Sequence, residues 1–444
     1  MSLCLYSAII FFLALHSRRT GTEASFFINN RSSGPLSVGL AIIVACVGAS
    51  ATIGMIGMAF SLGTPAFWWL GMGATGLFAL GMFLAGKVRQ TEALTLPQIV
   101  ETFLGKPIRP VVSVVIVIAW LAILAAQFSA TRQIMASLTG MPSVICFLIS
   151  LLLVIAHSFY GGQSAIMRLG GVQTVIIFGG LTAVLGWLTW HNPLWLSSVT
   201  IEPVNTQFPP SKLIHYSLII GGSYLVCPML YGRLLSARDS NAARYGSIIA
   251  ASGLVCAAIL MVSIGLACKG VLPADTSADA VLTTVLTTVL PGWLHILILL
   301  ALLSAVVSSA DACLITAGTI LACDLLHKKS ITACRISILL LGCTGAALSC
   351  MDKSIIDFLL MSYDIYVCGV VVPVLIGLVA HTNYKVDARF ACVAVLAGGA
   401  FGGISSFSGV TAWSYAGLVA SFVITLCGLR KKASDDTLLT VSIR

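Results

Sequence analysis

The chain has 444 residues, of which 58% are hydrophobic and only 9% are charged, and its formal net charge is +9. A composition this apolar excludes a soluble globular protein and indicates an all-α protein that crosses a lipid bilayer many times. The basic residues lie in short segments between apolar runs and form no basic face, so they indicate membrane topology and exclude nucleic acid as a partner.

The sequence divides into about thirteen apolar stretches, each near the roughly 20 residues that a helical membrane span requires. We place them at 2–16, 37–60, 66–86, 110–131, 142–158, 170–190, 213–232, 246–268, 293–322, 334–351, 355–380, 390–409 and 411–429. The first stretch lacks a basic segment before it and ends at His16, Arg18 and Arg19. We therefore interpret it as a span and not as a cleaved signal peptide.

The distribution of Lys and Arg predicts which ends of these spans face the cytoplasm. With the N-terminus outside, twenty of the 24 basic residues fall on the inner side, and only Arg132, Lys212, Lys269 and Lys353 remain on the outer side. Basic residues are enriched in short cytoplasmic loops. We therefore predict an outer N-terminus and a cytoplasmic C-terminal tail in a multi-pass protein of the cell (inner or plasma) membrane.

Small residues crowd the second span, between Val44 and Gly63, with glycines at positions 48, 54 and 57. Such runs most often form close helix contacts, and the sequence alone favours this interpretation. The alternative is a broken helix whose freed carbonyl groups line a cavity, which is tolerated only where protein or an ion satisfies them.

Two later stretches predict local structure at the membrane edge. Residues 87–105 form a short amphipathic segment with Pro97 near a helix start. Within residues 224–239, Pro228 can bend the span, and Arg233 and the basic residues that follow it can act as membrane-edge anchors.

The apolar stretch 299–325 carries Ser308, Ser309 and Asp311 close together near its middle. A carboxylate at that depth costs several kcal/mol unless it faces a partner, an ion or water, so it indicates a functional site. Each serine alone is as well explained by a hydrogen bond to the preceding turn or by a close helix contact.

Other membrane functions lack their signatures. A channel would show a repeated filter or rings of like charge, and an enzyme would need a cluster of His or acidic residues near an interface. The seven histidines are scattered along the chain, and the 14 cysteines form no CxxC pair. We therefore predict that the protein is not an enzyme and that its cysteines are small packing residues.

Several motifs, in this order, resemble the sodium:solute symporter family. Residues 48–54 and 59–63 resemble its first core helix, and Thr95 to Glu101 resembles its "TLPE" loop. Residues 160–173 and 228–239 match its next two motifs. The run from Ser308 to Leu314, with Asp324, is similar to its "SSADSQLL…D" helix. The resemblance covers nearly the whole chain.

This resemblance implies a LeuT-type fold with a transport core at 37–380. The core would consist of two inverted repeats of five helices, at about 37–190 and 213–380. Residues 1–36 would add an N-terminal span and loop, residues 390–429 two C-terminal spans, and residues 430–444 a tail. The implied function is symport of a small organic solute by alternating access, with Na⁺ as the co-transported ion and a monomer sufficient for transport.

The resemblance also assigns residues to roles. The sodium ligands would be the carbonyl groups of Val44, Val47 and Ala305 and the hydroxyl groups of Ser308 and Ser309, since a hard monovalent cation prefers several neutral oxygens. The residues expected at the solute site or its gate are Ala49, Ser50, Thr52, Gln127, Ser223 and Tyr224. The residues expected to have a structural or coupling role are Asp311, Asp364 and Arg233. Ser129 is a further pocket candidate.

Departures from the family pattern affect the expected number of sodium ions and the expected class of solute. Gly170 stands where the family often has an aspartate, three residues before Gln173, which favours one sodium ion per cycle. The first core helix offers no Asn, Gln or Glu to grip a sugar, and the basic residue expected nearest the pocket is Arg132, at the end of its span. We therefore expect an amino acid or a short carboxylate.

Two alternatives remain open at this point. Protons can replace sodium as the coupling ion, because Asp311, Asp357 and Asp364 lie in apolar spans where each can titrate. A sensor can also keep the transporter fold without net transport.

Overall fold

The computed structural model describes residues 22–351, 353–380 and 384–431. The predicted span at 2–16 and all but the first two residues of the predicted tail lie outside these ranges. Within them, nine helices are long and apolar enough to cross a membrane, or ten when one bent pair is taken as a single span. The predicted all-α, multi-pass membrane class is therefore confirmed.

The first half of the described chain forms a run of helices joined by short connections. They are α1 (Glu23–Ile28), α2 (Pro35–Cys46), α3 (Ser50–Leu62), α4 (Thr64–Gln90), α5 (Leu96–Leu104), α6 (Ile108–Thr139) and α7 (Ser143–His191). The predicted amphipathic segment is α5, whose Thr95 side chain accepts a hydrogen bond from Gln98 N and whose Pro97 lies in the first turn, as expected.

The second half continues the same architecture. Its helices are α8 (Pro210–Leu235), α9 (Ser240–Cys268), α10 (Ala278–Thr288), α11 (Gly292–Leu325), α12 (Ile331–Leu348), α13 (Ile355–Ala380), α14 (Ala388–Ser408) and α15 (Ala412–Cys427). Strands β1 (Tyr384–Val386) and β2 (Leu429–Lys431) pair antiparallel and join the two ends of the α14–α15 hairpin.

Helix α7 contains both of the spans predicted at 142–158 and 170–190, one in each of its two limbs. The two limbs meet at Gly162, whose φ of 61° and ψ of −173° are not helical. Glycine adopts positive φ without steric cost, so the chain turns sharply there without an intervening loop. A side chain at this position would also meet the ring of Phe26, 2.6 Å from its Cβ.

Two helices are broken near their middles. Helices α2 and α3 meet at an angle of 64° across residues 47–49. Helix α8 is interrupted at Val226 and Cys227, and Pro228 begins its second half. Proline fits the first turn of a helix because its missing N–H has no intrahelical acceptor there. Pro228 therefore coincides with a break in α8.

Helix α11 lies at the centre of the molecule, packed against α2, α6, α7 and α12. At its far end, Asp324 accepts hydrogen bonds from Arg109 Nε of α6, at 2.9 Å, and from Gln98 Nε2 of α5, at 3.0 Å. This places the middle of α11, with its serines, directly beside the break between α2 and α3.

Backbone hydrogen bonds tie the start of α2 to the end of α8. Ser33 N donates to Ser236 O at 3.1 Å, and Arg238 N donates to Ser33 O at 2.8 Å. Arg89 Nη2 adds a hydrogen bond to Arg238 O at 3.1 Å. The two broken helices are thereby joined at one end of the bundle.

Candidate functional site

The break after α2 exposes backbone carbonyl groups in the middle of the bundle. Val47 has a ψ of 66°, which ends the helical hydrogen-bond pattern. Gly48 follows, and a Cβ there would lie 2.4 Å from the hydroxyl of Ser309. The absence of a side chain therefore lets the broken helix touch α11 directly. Both interpretations of this glycine-rich span, close packing and a break, describe the observed structure.

The two serines of α11 point at these carbonyl groups. Ser308 Oγ donates to Val44 O and to Ala305 O, each at 2.9 Å. Ser309 Oγ donates to Ala45 O at 2.9 Å and to Val44 O at 3.3 Å. Four of the five predicted sodium ligands thus converge in one place.

Ala45 was missed by sequence reasoning, because which carbonyl group turns toward α11 depends on how the break is packed. The carbonyl of Val47 lies at the break, but among the described residues the serine hydroxyls bond to Val44, Ala45 and Ala305 instead. Three carbonyl and two hydroxyl oxygens form this cluster. Such a set of neutral oxygens suits a hard monovalent cation, since the ion compensates their desolvation. We call these five residues the ion cluster.

A cavity of about 40 Å³ lies beside the ion cluster. Of the predicted solute-site residues, Ser50, Gln127, Ser223 and Tyr224 line it. A cavity of this volume has room for about three water molecules. A larger solute therefore requires side chains to move.

Polar side chains in the cavity wall satisfy the backbone around the breaks. Gln127 Oε1 accepts from Ala49 N, the first free amide after the break, at 3.2 Å. Ser223 Oγ donates to Ile220 O at 2.7 Å. Tyr224 packs on the surface of Gly73, where a Cβ would lie 2.8 Å from its ring. Tyr224, the predicted gate residue, therefore packs against a neighbouring helix.

Other predicted residues lie outside this cavity. Ala49 and Thr52 face away from it, and the Thr52 hydroxyl donates to Gly48 O at 2.9 Å. Ser129 and Asp364 are buried elsewhere. Sequence reasoning missed the aromatic wall made by Trp120, Tyr363 and Tyr366. The spacing of the two tyrosines on one helix face was a signal for it, but an aromatic pair in an apolar span is more often core packing.

Asp311 lies two residues beyond the ion cluster and is held by α7. Its carboxylate contacts His157 Nδ1 and accepts from Ser158 Oγ at 2.5 Å. Both partners are buried. The side chain therefore joins α7 to α11 close to the ion cluster.

The position of Arg233 differs from two expectations: that this residue is a membrane-edge anchor, and that no basic residue lies deep in the core. Its side chain is fully buried in the second half of α8. Nη1 donates to Met229 O at 2.7 Å, whereas Nε and Nη2 have no hydrogen-bond partner among the described residues. Asp311 is the acidic residue close enough to interact with it electrostatically. A linear count of loop charges does not detect this burial.

Replacing Asp311 with asparagine is expected to weaken sodium binding while the fold survives. Asparagine keeps the shape and an acceptor for Ser158, but it leaves the charge of Arg233 uncompensated, and that charge repels a cation. We expect the sodium concentration for half-maximal uptake to rise about fivefold or more, which is about 1 kcal/mol. A sodium titration of uptake by purified protein in liposomes measures this. Wild-type affinity and rate would show that the charge has no role in transport.

Comparison with known proteins agrees with this geometry. A model of the sodium:solute symporter family matches residues 26–333. The sodium/pantothenate symporter of Haemophilus influenzae is 25% identical over 354 residues, covering 73% of this chain and 71% of that protein. The sodium/glucose cotransporter of Vibrio parahaemolyticus is 24% identical over 376 residues, covering 75% and 69%.

Two solved structures share the fold at low sequence identity. A Na⁺-coupled sialic acid symporter in an outward-open state superposes with a TM-score of 0.79 at 14% identity, covering 96% of each chain. A nucleobase-cation-symport-1 family transporter in a closed conformation gives a TM-score of 0.63 at 14% identity, covering 91% of this chain and 93% of that one. The likeness confirms the LeuT-type architecture.

Proposed function

The chain belongs to the sodium:solute symporter family and performs sodium-coupled symport of a small solute, and from this premise we propose where the ion and the solute bind. The sodium ion binds at the ion cluster, between the break of α2–α3 and the middle of α11. Its ligands are the carbonyl oxygens of Val44, Val47 and Ala305 and the two serine hydroxyls, with Ala45 as a further carbonyl donor. When sodium binds, each hydroxyl turns its hydrogen away and presents an oxygen lone pair.

The observation that supports coupling is that ion and solute share residues. Ser309 and Ala45 belong to the ion cluster and also line the cavity. An ion that orders this contact orders one wall of the cavity at the same time. Because coupling between two binding sites is reciprocal, the solute then raises sodium affinity by the same factor.

The solute is a small organic acid, either a short carboxylate or an amino acid. The curated relative from Haemophilus influenzae is a pantothenate carrier, and pantothenate is a carboxylate. The cavity is small, and the partial positive charge at the start of the second half of each broken helix suits an anionic group. A neutral sugar is the alternative, since another relative is a glucose cotransporter.

The two breaks also support the division into repeats. Each lies in the first helix of a proposed five-helix repeat, at about 37–190 and 213–380. With residues 390–429 as two added spans and one span before residue 36, the chain crosses the membrane thirteen times. The N-terminus is then outside and the C-terminus in the cytoplasm of a cell that carries the protein in its inner or plasma membrane. A single chain contains the complete site.

A thermal-shift screen of purified protein tests the solute class. The probes are pantothenate, its neutral alcohol analogue panthenol, glucose and L-proline, each in sodium and again in potassium. A ligand at about a hundred times its dissociation constant stabilises the folded state by about 2.7 kcal/mol. We expect a carboxylate to stabilise in sodium only. Stabilisation by glucose alone would replace the organic acid by a sugar and leave sodium coupling intact.

A further inference from the structure

Two buried titratable side chains outside the cavity face each other between α8 and α13. Asp364 is 5% exposed and His215 is 7% exposed. His215 Nε2 lies 3.9 Å from Asp364 Oδ1. Among the described residues, neither Asp364 Oδ1 nor His215 Nδ1 has a hydrogen-bond partner. Sodium binding and the cavity wall use neither group.

Hydroxyl groups of α14 and α15 satisfy part of the carboxyl group. Ser406 Oγ donates to Asp364 Oδ2 at 3.5 Å, and Ser414 also interacts with this side chain. Neither hydroxyl carries charge. An ionised carboxylate at this position is therefore only weakly compensated.

The charged and titratable groups around the pair do not neutralise it. Lys212, one helical turn from the imidazole, opposes a second positive charge there. Tyr415 packs edge-on against the imidazole, with ring centroids 5.7 Å apart. Cys368 follows one turn later on α13, and Tyr216 and Asp357 interact with each other nearby. None of these groups places a cation in contact with the carboxylate.

The net charge of Asp364 and His215 depends on how many protons the two side chains hold. With a neutral imidazole and an ionised carboxyl group, the pair carries one uncompensated negative charge in an apolar bundle, which is strongly unfavourable. One proton on the carboxyl group, shared with the facing imidazole, brings the pair to zero. We propose that Asp364 and His215 together form a site that binds one proton.

The proton site lies on helices that also form the cavity wall. Tyr363 and Tyr366, on either side of Asp364 in sequence, line the cavity, and α8 contributes Ser223 and Tyr224. Loss of the proton leaves a buried charge between these helices and loosens their contact. Protons therefore act as a second ligand that adjusts the cavity, and this role does not depend on the sodium assignment.

Infrared difference spectroscopy between about pH 8.5 and about pH 5.5 detects the proton directly. We expect the wild-type protein to gain a C=O stretch of a protonated carboxylic acid that Asp364→Asn lacks. His215→Gln should move the midpoint of this band to lower pH, because the imidazole no longer shares the proton. His191→Gln, at the exposed end of α7, is the control and should match wild type. A band that survives in Asp364→Asn overturns the proposal.

Thermal stability gives a second readout. The folded protein holds the proton at a pH where an unfolded carboxyl group is ionised, so stability falls as the pH rises. The melting temperature of Asp364→Asn should fall less over the same range. Should Asp364→Asn fail to fold, His215→Gln decides alone, and an unchanged infrared midpoint in that variant overturns the proposal.

Discussion

Replacing Ser308 and Ser309 together with alanine should abolish the dependence of uptake on sodium. The double variant removes both hydroxyl ligands but keeps α11 apolar and helical, so membrane insertion survives. We expect the sodium concentration for half-maximal uptake to rise at least about 100-fold, which is about 2.8 kcal/mol of lost binding. Uptake into liposomes at varied sodium and fixed pH is the measurement.

Ser337→Ala provides the matched control for this variant. Ser337 is also a buried serine, but its hydroxyl donates to Ala333 O of its own helix at 3.0 Å and faces no ion ligand. Its sodium dependence should stay that of wild type. Sodium-dependent uptake that persists unchanged in the double variant would place the ion elsewhere.

Gly48→Ala is expected to damage the same site by steric conflict. The new Cβ would lie 2.4 Å from the Ser309 hydroxyl and 2.8 Å from its Cβ, so α2–α3 and α11 must move apart. Separation pulls the carbonyl groups of Val44 and Ala45 away from the serines. We expect sodium affinity to fall at least about tenfold, or about 1.4 kcal/mol, as measured by sodium-dependent thermal shift.

Gly171→Ala separates this effect from a general cost of altering a glycine in a helix. Its Cβ would meet only Leu40 Cδ1, at 3.6 Å, which is an ordinary contact. This variant should retain wild-type sodium affinity. Equal affinities in the Gly48 and Gly171 variants would contradict the close contact seen here.

The apolar runs predict most spans because each run must satisfy its own backbone inside a membrane, and this requirement is local. Pro228 predicts its own break for the same reason, since a missing N–H acts within one turn. The spans predicted at 142–158 and 170–190 correspond to the two limbs of α7, which meet at Gly162 without a separate loop. The sequence does not distinguish such a kink from a loop.

Burial and partner choice depend on contacts between distant segments. A family motif predicts Ser308 and Ser309 as ion ligands, but no motif indicates that the Ala45 carbonyl group faces Ser309. From the sequence alone, Arg233 is interpreted as an edge anchor, but its side chain is fully buried in the second half of α8. His215 and Asp364 are 149 positions apart in sequence, and no local pattern brings them together.

The backbone hydrogen bonds between Ser33 and the end of α8 allow opening of this end of the bundle to be measured by hydrogen exchange. Its hydrogen bonds run from main chain to main chain, so no side-chain replacement short of proline deletes them. Deuterium enters the amides of Ser33 and Arg238 only when this end of the bundle opens. The exchange rate of these two amides therefore reports how often this end opens in the unmodified protein, without a dye or an engineered cysteine.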